Sequence, residues 1–314
     1  MTQRPGGAKM LSRVAERLYW FGRYLERTEN IARLLSVYTN LVLDLPKEGF
    51  VWESLVSITG FEHAFKKRFA NASERNVVKF LLEDPSCSLR HCVRMARENA
   101  RTSRDLMPNE AWQKINELHL YLSEDMQQRL KRDGRFEFLS RVIDVSLELT
   151  GYLNGSMSEH TPYHFIKMGC YLERADMTTR IIDVACLNFL KPDRRGTTEY
   201  DNILWMGVLK SLNAYQMYRQ HVQERVNGED VADYLLKDRY FPRSVAHCLK
   251  QVAGSFSQLQ HKGKPHRRVS QTQRRISKAD LEFLLKENEL HDFIDLVQLD
   301  LARIHADLSS TWLR

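Results

Sequence analysis

An all-α fold is predicted by three observations: apolar residues recur three and four positions apart, no stretch alternates apolar with polar, and only 14 Gly and 8 Pro punctuate 314 residues. With 43% hydrophobic and 28% charged residues, the composition is globular and excludes disordered and collagen-like classes. The first helix is expected along one stripe, Leu11, Val14, Leu18, Phe21, Leu25, Ala32 and Leu35, capped by Ser12 and closed before Pro46. The same spacing predicts helices at about 50–69, 86–107, 109–132, 136–157, 162–190, 200–226, 240–261 and 277–312. The breaks between them are Pro85, Pro108, Asp133-Gly134, Pro162, Pro192 with Gly196, Asn227-Gly228, Pro242, and Gly263 to Pro265. Residues 1–9 have no periodicity and precede a second methionine, Met10, so they read as a flexible tail or a misassigned start.

The chain also resembles itself. GRYLERTENIAR at 22–33 aligns with GCYLERADMTTR at 169–180, an offset of 147. Trp52 and Phe65 correspond to Trp205 and Tyr218 at an offset of 153, and FLLED at 80–84 to YLLKD at 234–238 at 154. Ser88 and His91-Cys92 then match Ser244 and His247-Cys248 at 156. Matches that keep their order while the offset drifts are what loop insertions leave in a duplicated unit. Two tandem helical repeats of about 150 residues are therefore expected, 10–160 and 161–314, packed as a pseudo-twofold helical bundle through the long first helix of each.

At 100° per residue, Gly22, Glu26, Glu29 and Arg33 fall on one helix face, as do Gly169, Glu173, Asp176 and Arg180. A glycine inside a helix is less stable than alanine by about 1 kcal/mol, so a repeated one suggests close approach by another backbone or a ligand. Arg27 and Arg174 lie one residue past the glutamates, where they can hold neighbouring carboxylates or face a shared cleft. Two readings remain open: ion pairs that fix how the repeats cross, or a polar cleft between the repeats that binds a small charged ligand or peptide terminus. A di-metal site of the bundle type would place His three residues after Glu26 or Glu173; none is there, and no metal or cofactor is expected.

Arg90, Arg94, Arg97, Arg101 and Arg104 form a second stripe, a candidate anion site or a solvated, ion-paired face with Glu98 within reach. His91-Cys92 and His247-Cys248 diverge by about 100° on a helix and read as a buried thiol beside a core or capping histidine. The five cysteines, odd in number and without CxxC spacing, indicate neither a disulfide framework nor a zinc ribbon. The tryptophans at 20, 52, 112, 205 and 312 occupy apolar helix positions and read as core. No P-loop, GxGxxG, GxSxG or HExxH pattern occurs, which weakens the corresponding enzyme classes.

Formal charge is +7, and six of the excess positive charges (Lys262, Lys264, Arg267, Arg268, Arg274, Arg275) fall in 261–275 without an acid. That segment reads as a Gly/Pro-interrupted basic loop, either solvated or clamping an acidic partner, and the charge as a whole gives no nucleic-acid signal. Without an apolar run of about 18 residues or a signal-peptide core, a cytoplasmic location is expected.

MLSRVAERLYWFGRYLERTENIARLL at 10–35, GCYLERAD at 169–176 and ARENARTSRDLMPNEAW at 96–112 resemble the bacterial alpha-E family, all-helical proteins named for a Glu-Arg motif. The resemblance covers 10–314 and places the motif on Glu26-Arg27 and Glu173-Arg174. It implies a start at Met10, and association with ATP-grasp ligases and transglutaminase-like proteins that make or modify a small peptide. The family has no established activity. The chain departs from it at Cys170, where arginine is frequent as at Arg23, and at Tyr163-His164-Phe165, where tryptophan is frequent. Three functions follow as expectations: an accessory or substrate-holding part of such a ligase system, a stand-alone enzyme on peptide or amide bonds with Glu26 or Glu173 as base, and an anion- or nucleic-acid-binding protein.

Overall fold

The computed structural model describes residues 12–44, 48–123, 131–189, 199–222, 225–259 and 263–313. The tail at 1–9, Leu11, the breaks at Pro46, Pro192 and Gly196, and residues 261–262 of the basic segment lie outside them. Among the described residues every regular element is helical.

The first helix, α1 (Ser12–Leu41), follows the expected stripe, with Leu18, Phe21, Leu25 and Leu35 buried. The stretch expected as one helix at 50–69 is two, α2 (Glu48–Thr59) and α3 (Glu62–Lys66), parted at Gly60. Gly60 takes φ 72°, a left-handed conformation that favours glycine, and its N–H closes on the Ser57 carbonyl at 3.0 Å. Then come α4 (Glu74–Glu83), α5 (Leu89–Arg101), α6 (Asn109–Ser123), α7 (Arg132–Ser156) and α8 (Thr161–Phe189). The expected helix at 200–226 is α9 (Glu199–Ser211) and α10 (Tyr215–His221), broken where Asn213 takes φ 52°. After α11 (Gly228–Lys237) and α12 (Val245–Ser257) follow α13 (Lys264–Lys278), α14 (Leu281–Lys286) and α15 (Leu290–Trp312).

The expected helix at 277–312 is likewise two, α14 and α15, parted where Asn288 takes φ 58°. Three further helices fall where none was expected. The helices α4 and α11 are short, amphipathic units that begin at capping side chains, Ser73 accepting from the Asn76 N–H and Asn227 from the Asp230 N–H. The basic segment 261–275, expected as a loop, is corrected by α13. Gly263 is its N-cap and Pro265 stands in the first turn, where a proline starts a helix because no N–H is needed there. Val269, Thr272 and Ile276 bury one face of α13, and Arg268 and Arg275 pair with Asp307 and Asp300 of α15 at 2.6 and 3.0 Å. Lys264, Arg267, Arg274 and Lys278 are exposed.

At the centre α1 packs along α8. Around α1 stand α5 and α7, with α6 against both; around α8 stand α12 and α15, with α13 against both. Trp52 and Trp205 are almost fully buried, and Trp20, Trp112 and Trp312 pack part-buried against the same core. The repeated serines explain themselves locally: Ser88 caps α5 and Ser244 caps α12, each accepting the N–H three residues on at 3.1 Å.

Candidate functional site

The two motif helices touch backbone to backbone. A Cβ on Gly22 would run into the Ile166 carbonyl of α8, and one on Gly169 into the Tyr19 carbonyl of α1. Only glycine allows helix axes this close. The close approach brings the acids of each helix beside the arginines of the other.

Arg27 grips Glu173 with both prongs of its guanidinium, Nε to Oε1 at 2.5 Å and Nη2 to Oε2 at 3.0 Å. Arg174 grips Glu26 the same way, at 2.9 and 2.6 Å. Each glutamate has a second guanidinium: Arg23 Nε lies 2.5 Å from Glu173 Oε2, and Arg243 Nη1 lies 2.8 Å from Glu26 Oε1. Arg243, in the loop between α11 and α12, also reaches Glu29 at 2.5 Å and Asn30 at 3.0 Å, while Thr178 donates to its carbonyl at 2.8 Å. Arg33 pairs with Glu29 at 2.7 Å and Arg180 with Asp176 at 3.0 Å, the i,i+4 pairs expected from spacing. The Arg27 and Arg174 guanidiniums lie over the Tyr24 and Tyr171 rings, at 5.8 and 5.0 Å.

Glu26, Glu29 and Glu173 are each 2–3% exposed. Burial pushes the Glu173 carboxyl up, but Arg23 and Arg27 override it and hold it at about 2. Burial likewise raises and Arg243 and Arg33 lower that of Glu29, with a net downward shift. A carboxylate held that acidic is mismatched to proton abstraction at neutral pH. The motif residues are thus brought together as a buried lattice of charge-assisted hydrogen bonds, in which Glu173 serves as a charge partner.

Arg23 and Arg243 were not singled out by sequence. Arg23 appears there only as the match of Cys170. Arg243 carries no local signal, because its partners lie more than 200 positions away on α1.

On the flank of this lattice, between α8 and α15, opens a cavity of about 440 Å³ lined by Arg23, Asp176, Arg180, Asp295, Gln298 and His305, with Leu172, Leu299, Leu301 and Ala302 as apolar wall. Two arginines, two aspartates and a histidine around an apolar wall suit a small molecule that carries both charges. Arg180 is placed by Gly60, whose missing side chain leaves the space its guanidinium fills. His305 Nδ1 and the Tyr19 hydroxyl share a hydrogen bond of 2.7 Å. A larger cavity of about 690 Å³ beside α11 and α14 is lined by no motif residue.

The arginine stripe is shorter than its spacing suggests. Arg90, Arg94, Arg97 and Arg101 share α5, but the helix ends at Arg101, and Arg104 belongs to a separate 3₁₀ turn. Arg97 is engaged by Asn116 at 2.7 Å, Glu98 at 3.0 Å and the Trp112 ring, and Arg101 by Glu98 at 3.0 Å. Arg90, Arg94 and Arg104 are exposed. Cys92 and Cys248 are fully buried, and their histidine neighbours His91 and His247 pack against Tyr24 and Tyr171.

Among known proteins, a model named Alpha-E, described as a predicted alpha-helical domain with a conserved ER motif, matches residues 10–313. An uncharacterised protein of Mycobacterium bovis is 23% identical over 320 residues, covering 94% of this chain and 35% of that protein. Uncharacterised proteins of two Mycobacterium tuberculosis strains match with the same identity and coverage. The chain spans about a third of the length of these curated relatives. No solved structure matches.

Proposed function

Because the chain belongs to the Alpha-E family, we propose that it is an accessory, substrate-holding component of an ATP-grasp-type peptide-ligase system that makes or modifies a small peptide. The observation that carries the reading is the cavity between α8 and α15, which shares Arg23 with the Glu-Arg lattice and offers Asp176, Arg180 and Asp295 around an apolar wall. Such a lining recognises an amino-acid-like or short peptide ligand by its two charges. The lattice holds the helices; Asp176 and Arg180, one and two turns beyond it, bind. The ligase and a transglutaminase-like protein are the partners this reading requires.

The fold is read as a duplication with a pseudo-twofold relation between 10–160 and 161–314. Supporting it, each motif glutamate takes two arginines from the opposite repeat: Glu173 from Arg23 and Arg27 of the first motif, Glu26 from Arg174 of the second motif and Arg243 beyond it. Where the second copy has Cys170 in place of Arg23, it supplies Arg243, and the first copy carries Cys87 at the position matching Arg243 by the Ser88/Ser244 register. An arginine missing from one place is thereby made good from another, and both glutamates stay doubly paired.

The test is reconstitution of the full chain with an ATP-grasp ligase. The chain is expected to co-purify with the ligase, and Arg180→Ala is expected to abolish stimulation of peptide formation while leaving the thermal midpoint within a few degrees. Full stimulation by Arg180→Ala and Asp176→Asn would remove the cavity from the function.

A further inference from the structure

Beyond the motif, one imidazole and two carboxylates meet where α8 and α15 face each other: Asp183, His291 and Asp295 each offer a donor atom within 4.8 Å of the others. His291 and Asp295 are four residues apart and so share one face of α15. Asp183 Oδ1 lies 2.5 Å from His291 Nδ1, and Asp295 Oδ2 lies 3.8 Å from Nε2. An ionised carboxylate only accepts, so the short contact places a ring proton on Nδ1, and Nε2, which faces Asp295, is the nitrogen through which the neutral ring can ligate an ion. Metal-ligating histidines are oriented in this way: the far N–H is held by a carboxylate, which fixes the tautomer and makes the ligating nitrogen more basic.

The ring sits in a negative field: Asp183 and Asp295 flank it, and Asp292 adds to that field. Among the described residues neither Asp183 nor Asp295 has an arginine or lysine in ion-pair range, and nearby Arg180 is already bonded to Asp176. Asp295 also lines the 440 Å³ cavity, so further coordination positions would open onto it.

We propose that Asp183, His291 and Asp295 form a binding site for one divalent first-row transition-metal ion at the rim of this cavity, with His291 Nε2 and the Asp295 carboxylate as ligands and Asp183 as the positioning residue. Ligand bonds of about 2.1 Å reach both atoms across their 3.8 Å separation. One imidazole with carboxylate oxygen suits zinc, cobalt or manganese; calcium and magnesium favour all-oxygen sites. A search of the sequence for Glu-x-x-His and paired cysteines passes over this set because Asp183 comes from another helix. The site does not depend on the ligand reading of the cavity, since the ion would bind with no ligand present.

Titrating the full chain with Co²⁺ in metal-free buffer, followed by visible absorption, is the test, with circular-dichroism melts on every variant. One saturable equivalent is expected, abolished in His291→Ala, weakened at least tenfold in Asp295→Asn and weakened about 10–100-fold in Asp183→Asn. Asp295 is exposed, so that variant reads the site even if His291→Ala fails to fold. Absence of a saturable signal, or an affinity unchanged by Asp295→Asn and His291→Ala, overturns the proposal.

Discussion

Glu173 and Glu26 show why identical residue types need different neighbours to reach the same state. Both arginines of Glu173, Arg23 and Arg27, come from the motif of the opposite helix α1, whereas the position matching Arg23 on α8 is Cys170, and Glu26 takes its second arginine, Arg243, from a distant loop. Breaking a buried pair strands charge, so Glu173→Gln is expected to lower stability by about 3–5 kcal/mol, read as a fall in the urea midpoint at pH 7. The same group sets an acid limit. Its carboxyl is held at about 2 in the folded protein and titrates near 4.5 when unfolded. Its contribution is therefore complete above pH 4.5 and is lost as pH falls from 4.5 towards 2. Denaturation curves between pH 7 and pH 3 should show a smaller loss in Glu173→Gln than in the parent; equal losses would remove Glu173 from the acid response. At this scale the spacing of Gly22, Glu26, Glu29 and Arg33 puts them on one helix face, and the Glu29–Arg33 pair follows from it because i,i+4 geometry is local. Which arginine crosses to which glutamate depends on how two helices pack, and no local pattern encodes that.

The motif glycines and the glycine at 151 are chemically identical but opposite in consequence. Gly22→Ala and Gly169→Ala would drive a methyl group into a backbone carbonyl that no rotamer change can move aside. Each is expected to cost about 3 kcal/mol, the upper part of the overpacking range, and to lower the thermal midpoint accordingly. Gly151, on the exposed side of α7, faces open space, so Gly151→Ala is expected to stabilise by about 0.5–1 kcal/mol through helix propensity alone. A midpoint for Gly22→Ala equal to that of Gly151→Ala would refute the close crossing. The long helices were legible from their 3.6-residue stripes. The short α4 and α11 were not, since two or three turns carry too few periods, and their caps, Ser73 and Asn227, look like loop residues in isolation. In α13 the Gly-Lys-Pro sequence that reads as a break is a helix start.

Across the molecule, the charge surplus belongs to a folded, amphipathic helix with two arginines tied to α15. Four of the five cysteines are buried and Cys170 is half-buried. Burial pushes the thiols of Cys87, Cys92, Cys170 and Cys248 up to about 12, and that of Cys186 is raised as well. At pH 8 the native chain is expected to react slowly with a thiol-specific disulfide reagent and to yield all five thiols in urea. Rapid labelling of the native state would contradict that burial. Since α1 and α8 fill each other's exposed face, 10–160 and 161–314 expressed apart are each expected to lack a cooperative melt, and to regain one when co-expressed. The overall helical class was plain from composition and period. The cavity beside α15 was not, because its walls come from segments more than 100 positions apart.

A backbone-to-backbone contact also decides how the two central helices can move. Helices that meet through side chains can slide by switching rotamers. At Gly22 and Gly169, displacement along either axis forces main-chain atoms together, so the contact acts as a fulcrum about which the rods can only tilt. Asp176 and Arg180 stand about 10 and 16 Å along α8 from Gly169, at 1.5 Å per residue. With that lever arm, a tilt of about 5° carries the cavity wall through about 1 Å and moves the opposite end of α8 the other way.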